Sequence, residues 1–114
     1  MGWDAYTVPR PTGANKEAFA EAATAVDEKG WGRDIGLDIG WLDTRLAGEY
    51  LGEATGEDVY AEEPWSPERV RQINAGARWP EPGSVPSCEL WAYWSARTFL
   101  QTSAELGLGI RFSY

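Results

Sequence analysis

A chain of 114 residues with net charge −8, one cysteine and no histidine excludes several classes of protein at once. The length fits a single domain over residues 1–114 that buries a core without staples, and the lone Cys88 rules out an intramolecular disulfide. The acidic balance argues against direct nucleic-acid binding, which needs a basic footprint.

Residues 3–8, Trp3 to Val8, combine aromatic and β-branched side chains and stop at Pro9, which predicts a short strand. Pro9-Arg10-Pro11-Thr12-Gly13 reads as a loop. Asn15 is placed to cap a helix over 16–29. Phe19, Ala22, Ala23 and Val26 form its buried stripe, and Gly30 ends it.

Residues 30–40 are punctuated by glycine, and the echo Asp34-Ile35-Gly36, Asp38-Ile39-Gly40 is too short for a structural repeat. Asp34, Asp38 and Asp43 near glycines invite a calcium reading. The alternating oxygen ligands and twelfth-position Glu of an EF-hand loop are missing. Helix capping by Asp38 or Asp43 is the expectation instead, with no metal and no other cofactor.

A second helix is expected over 43–55. Leu42, Leu46, Ala47, Tyr50, Leu51 and Ala54 make its buried stripe, and Gly56 follows its end. Gly48 and Gly52 lie on the far side, each costing about 1 kcal/mol relative to Ala. Either another segment approaches that backbone closely or the face is merely weak. The loop 56–65 follows. Ser66-Pro67-Glu68 then opens a short third helix, with Ser as N-cap, Pro at the first position and Glu at the positive end of the dipole. Val70, Ile73 and Ala77 form its apolar edge, and Arg69, Arg71 and Arg78 its basic one.

The longest helix spans 87–106, with Ser87 as N-cap behind Pro86. Ala92, Ala96, Phe99, Leu100, Ala104 and Leu106 fall on its core face. Gly107 and Leu108 fit a Schellman end. Leu90, Trp91 and Trp94 point away from that face, so the helix is apolar nearly all round at its start. The proline-rich loop 79–86 is expected to cover it, a partner being the alternative. Cys88 has no histidine to act as its base and reads as a small buried or capping-region residue. Ile110, Phe112 and Tyr114 alternate with Arg111 and Ser113, a half-buried strand.

The expected fold is α+β and mostly helical: about four helices with a small antiparallel sheet formed by the N- and C-terminal strands. Its core should include Trp3, Phe19, Val26, Leu46, Tyr50, Leu51, Ile73, Phe99, Leu100, Ile110 and Phe112. No uncharged apolar run approaches the roughly 20 residues that span a bilayer. Met1-Gly2-Trp3-Asp4 has neither region of a secretory signal. A cytoplasmic protein without membrane contact is the expectation.

Charge is concentrated in one segment. Residues 49–63 carry −6 with no Lys or Arg, against −3 over 1–48 and +1 over 64–114. Glu49, Glu53, Glu57, Asp58, Glu62 and Glu63 accompany Tyr60 and Trp65, an arrangement of aromatic anchors among polar contacts. Such a surface would steer another protein with a basic surface, such as a nuclease. The leading expectation is a non-enzymatic protein-binding domain. The runner-up is an assembly component that self-associates through Leu90, Trp91 and Trp94, so monomer and homodimer both stay open. A carboxylate-dependent hydrolase using Glu49 and Glu53 is third, because no nucleotide, zinc or serine-hydrolase motif is present.

The opening Gly2-Trp3-Asp4-Ala5-Tyr6 and the ending Leu106-Gly107-Leu108-Gly109-Ile110-Arg111-Phe112-Ser113 resemble those of short uncharacterised bacteriophage and actinobacterial proteins. The resemblance covers only the termini. It implies a phage or mobile-element setting, in which small acidic proteins often inhibit host factors, and a bacterial host cytoplasm. It assigns no functional residue.

Overall fold

The computed structural model describes residues 2–61 and 63–114. Among them lie strand β1 (Asp4–Val8), helix α1 (Gly13–Glu28), strand β2 (Trp41–Leu42) and helix α2 (Arg45–Thr55). Helix α3 (Pro67–Gly76), helix α4 (Leu90–Glu105) and strand β3 (Gly109–Ser113) complete an α+β fold. No helix among the described residues is long and apolar enough to cross a membrane.

The terminal strands pair antiparallel, as their sequence pattern predicts, from Asp4↔Ser113 to Val8↔Gly109. The third strand was not foreseen. β2 adds to the other edge of β1 through Ala5↔Leu42 and Tyr6↔Trp41, giving the order β2-β1-β3. Two residues are too few to show a period of two, so this strand exists only through its partner. Beyond β3, Trp65 and Ile110 exchange two backbone hydrogen bonds at 2.8 and 2.9 Å. Ala5, Thr7, Leu42, Ile110 and Phe112 are buried on the inner face of the sheet, where α2, α3 and α4 pack.

Helix α4 is the centre of the molecule and contacts the other three helices. Its expected stripe is buried from Ala92 to Ala104, but so are Tyr93, Ser95, Thr102 and Ser103. Small hydroxyls are tolerated there because they are bonded: Ser103 donates to the Phe99 carbonyl at 2.7 Å, and Ser95 accepts from the Asp34 amide at 2.7 Å. The helix ends as expected. Gly107 has φ +68, its N–H reaches the Ala104 carbonyl, and the Leu108 N–H reaches that of Ser103.

Two helix starts differ from the sequence pattern. α1 begins at Gly13 behind Thr12, ahead of Asn15, because the Thr12 carbonyl already accepts from Asn15 and Lys16. Ser87 does not cap α4 but opens a 3-10 turn, Ser87–Glu89, before it. Cys88 on that turn is exposed, not buried. Ser66 caps α3 as expected, accepting from the Arg69 amide at 3.2 Å. Most of the expected core is buried, with Leu46, Tyr50 and Ile73 only half-buried at its margin.

The start of α2 is held by a residue from another loop. Asp34, fully buried, accepts from the Asp43 amide at 2.7 Å with one oxygen. Its other oxygen takes the Thr44 amide at 3.1 Å and the Thr44 hydroxyl at 2.7 Å. Neither Asp38 nor Asp43 caps α2, whose N-cap Thr44 carries no side-chain cap bond; Asp34 pins the two residues that lead into the helix. Asp38 instead pairs with Arg33 at 3.2 Å. The carboxyl of Asp43 is raised above its ordinary value by burial, then by the nearby charges of Asp34 and Asp4.

Candidate protein-binding surface

The acidic segment begins on α2, whose inner side is fixed at close range. A Cβ on Gly48 would lie 2.8 Å from the Trp3 ring, so only glycine lets the indole cross the helix there. Trp3 then donates from its indole N–H to the Val59 carbonyl at 2.9 Å. Gly52 faces Val59 and the Glu57 carbonyl. Gly48 thus marks a close approach, one of the two alternatives for this pair, whereas at Gly52 a Cβ would meet its neighbours only at ordinary contact distances of 3.5–3.6 Å. With this side occupied, Glu49 and Glu53 stand exposed.

Glu49 and Glu53 line a cleft with Leu46, Tyr50 and Glu89, of ≈ 130 Å³. Tyr50 donates to Glu89 at 2.7 Å. Its phenol is pushed up to about 12 by burial, then by that hydrogen bond and by the charges of Glu89, Glu53 and Cys88. The cleft is small beside the roughly 300–1,000 Å³ of small-molecule sites. Among the described residues no group of three His, Cys, Asp or Glu is arranged to hold a metal ion.

The loop after α2 is an ordered turn. Asp58 accepts from the Tyr60 amide at 2.9 Å, which directs Val59 into the core. Glu57 pairs with Arg69 of α3. Asp58 and Glu63 are exposed and, with Glu57, Ala61, Pro64, Trp65 and Arg69, line a cleft of ≈ 290 Å³. Glu62 lies outside the described residues.

Of the two aromatic residues of the segment, Trp65 differs from the expectation. Trp65 is only 4% exposed, stacked edge-on against Phe112 at 4.8 Å. It is core, and its pairing with Ile110 explains why: a residue bridged to β3 turns its side chain into the inner face. Trp65 is therefore not a free surface anchor, whereas Tyr60 is half-buried beside Tyr114, with ring centroids 5.7 Å apart, and accepts from the Arg45 Nε at 3.3 Å through its hydroxyl.

The self-association candidates are largely packed within the chain. Leu90 is buried with Val85 and Tyr93, so the proline-rich loop does fold over the start of α4. Trp94 is half-buried and stacked on Trp31 at 5.7 Å, with Lys29 4.5 Å above the ring. Trp91 is also half-buried. Trp31, which sequence reading left unassigned, supplies this cover, and no periodicity could have placed it. A comparison with protein-family models, curated proteins and solved structures returns no match, so geometry alone supports a reading of these surfaces.

Proposed function

We propose that this protein is a non-enzymatic binding domain that docks its acidic surface on another protein with a basic surface, as a phage-encoded inhibitor of a host factor would. One observation carries the reading. Glu49, Glu53, Asp58 and Glu63 stand exposed, and among the described residues none of them is in an ion pair. Among the described residues of the segment, Glu57 alone is in an ion pair, with Arg69. Arg45, at the start of α2, lies on Tyr60 and forms no ion pair with a carboxylate of the segment among the described residues. Unneutralised like charge disfavours the folded state slightly and steers a basic partner strongly.

Affinity capture from a bacterial host lysate tests it. Wild type is compared with a Glu49→Gln/Glu53→Gln/Asp58→Asn/Glu63→Gln variant. The expected result is a basic protein retained by wild type, released by roughly 0.5 M salt and lost by the variant. Capture that survives neutralisation of all four carboxylates contradicts the proposal. Dimerisation through Trp91 and Trp94 is the competing reading. It requires a solution mass that stays dimeric at low and high salt.

A further inference from the structure

Trp3 joins three parts of the molecule that the sequence keeps far apart. Its backbone sits one residue ahead of β1, whose register with β3 begins at Asp4↔Ser113. Its side chain is buried, with the ring 6.1 Å from that of Phe112 on β3. The indole crosses α2 at Gly48, where a Cβ would lie 2.8 Å from it. Its N–H then reaches the buried Val59 in the loop after α2, donating to the carbonyl at 2.9 Å. Gly48 directly precedes Glu49, and Val59 directly follows Asp58. One side chain therefore touches both halves of the acidic segment, the half on α2 and the half on the loop. The Arg45–Tyr60 bond also links the two, but it is exposed and long at 3.3 Å. The other ties join the loop to different elements, Glu57 to Arg69 of α3 and Trp65 to Ile110 of β3.

We infer that Trp3 is the positioning residue of the acidic surface: its buried bond to Val59 holds the loop carboxylates Asp58 and Glu63 in place relative to Glu49 and Glu53 on α2 before a partner arrives. The inference rests on the acidic surface being the one that binds. Its physical basis is preorganisation. Side chains that move independently must be ordered as a partner docks, and each one costs about two- to tenfold in affinity. A carbonyl bonded to a buried indole has no water to replace the donor, so loss of the N–H strands it and the loop opens to reach solvent. The chemistry of the tie also suits the surface. Indole is a neutral donor with no acceptor, so it restrains the loop and leaves every carboxylate charged. An ion pair in the same place would neutralise part of the surface, as Arg69 does to Glu57.

The test is calorimetric titration with an octalysine peptide at low salt. Wild type is compared with Trp3→Phe and with a chain carrying benzothienylalanine in place of Trp3, which keeps the shape of the indole and lacks its N–H. Each is repeated in a Glu49→Gln/Glu53→Gln background and in an Asp58→Asn/Glu63→Gln background. Removing the N–H should weaken binding about fivefold. That loss should persist with the α2 pair neutralised and vanish with the loop pair neutralised, because no loop charge is then left to position. Amide exchange at Tyr60 should quicken while that at Leu51, inside α2, stays slow. Affinity equal to wild type without the N–H, or the same loss in both backgrounds, would overturn the inference, since a packing role alone acts equally in both. If Trp3→Phe does not fold, the benzothienylalanine chain decides, as it conserves the packing volume. Octalysine binding that is absent, or unchanged when all four carboxylates are neutralised, overturns the acidic-surface reading itself and the role of Trp3 with it.

Discussion

The carboxylate of Asp34 and those of Glu49, Glu53, Asp58 and Glu63 are the same chemical group put to opposite use. Asp34 is buried and accepts three hydrogen bonds that join the loop after α1 to the start of α2. The four others are exposed, and none of them is in an ion pair among the described residues. A buried carboxylate is tolerable only when its lone pairs are filled, and then removing it strands every donor. An exposed one keeps its water, contributes little to the fold and remains available to a partner. The difference separates the carboxylate this acidic chain uses to fold from those it leaves in water.

The sharpest way to break that division is at Trp65, which closes the acidic segment but packs with the core. Trp65→Ala should cost about 3–5 kcal/mol by urea unfolding, the range for a buried aromatic. A loss below about 1 kcal/mol would return Trp65 to the contact surface. Asp34→Ala comes next. It leaves two amides and a hydroxyl unsatisfied and should cost about 3 kcal/mol, measured the same way. Gly48→Ala should destabilise by about 1–2 kcal/mol through overpacking against Trp3, despite the better helix propensity of alanine, and should shift the tryptophan emission.

The smallest effect is at Tyr50. Its folded phenol ionises near 12 against an ordinary 10.0. The neutral form is the one the fold prefers, so its contribution is present below pH 10 and lost as pH rises from 10 towards 12. Tyr50→Phe should cost about 1 kcal/mol at neutral pH through the Glu89 bond. It should also flatten that alkaline limb in chemical unfolding series. An unchanged limb would show that another group sets it.

Where local chemistry and tertiary packing agreed, the sequence was enough. Ser66-Pro67-Glu68 and Gly107-Leu108 carry their own stop and start signals, and the alternation from Ile110 to Tyr114 shows a strand with one buried face. Where the structure is made by distant partners, nothing local announced it. β2 is two residues long and is a strand only because β1 lies beside it. Asp34 looked like any loop aspartate, since its ligands are nine and ten residues away. The acidic segment was visible as a charge run, but burial of Trp65 depends on its bridge to Ile110.

The most direct test is the stability of the four-carboxylate variant, Glu49→Gln/Glu53→Gln/Asp58→Asn/Glu63→Gln, by urea unfolding at low salt. If these groups are free of structural duty, its midpoint equals or exceeds that of wild type, because like-charge repulsion has been relieved. A loss of more than about 1 kcal/mol would show that the exposed carboxylates hold the fold together, and the division between folding and binding charge would be wrong.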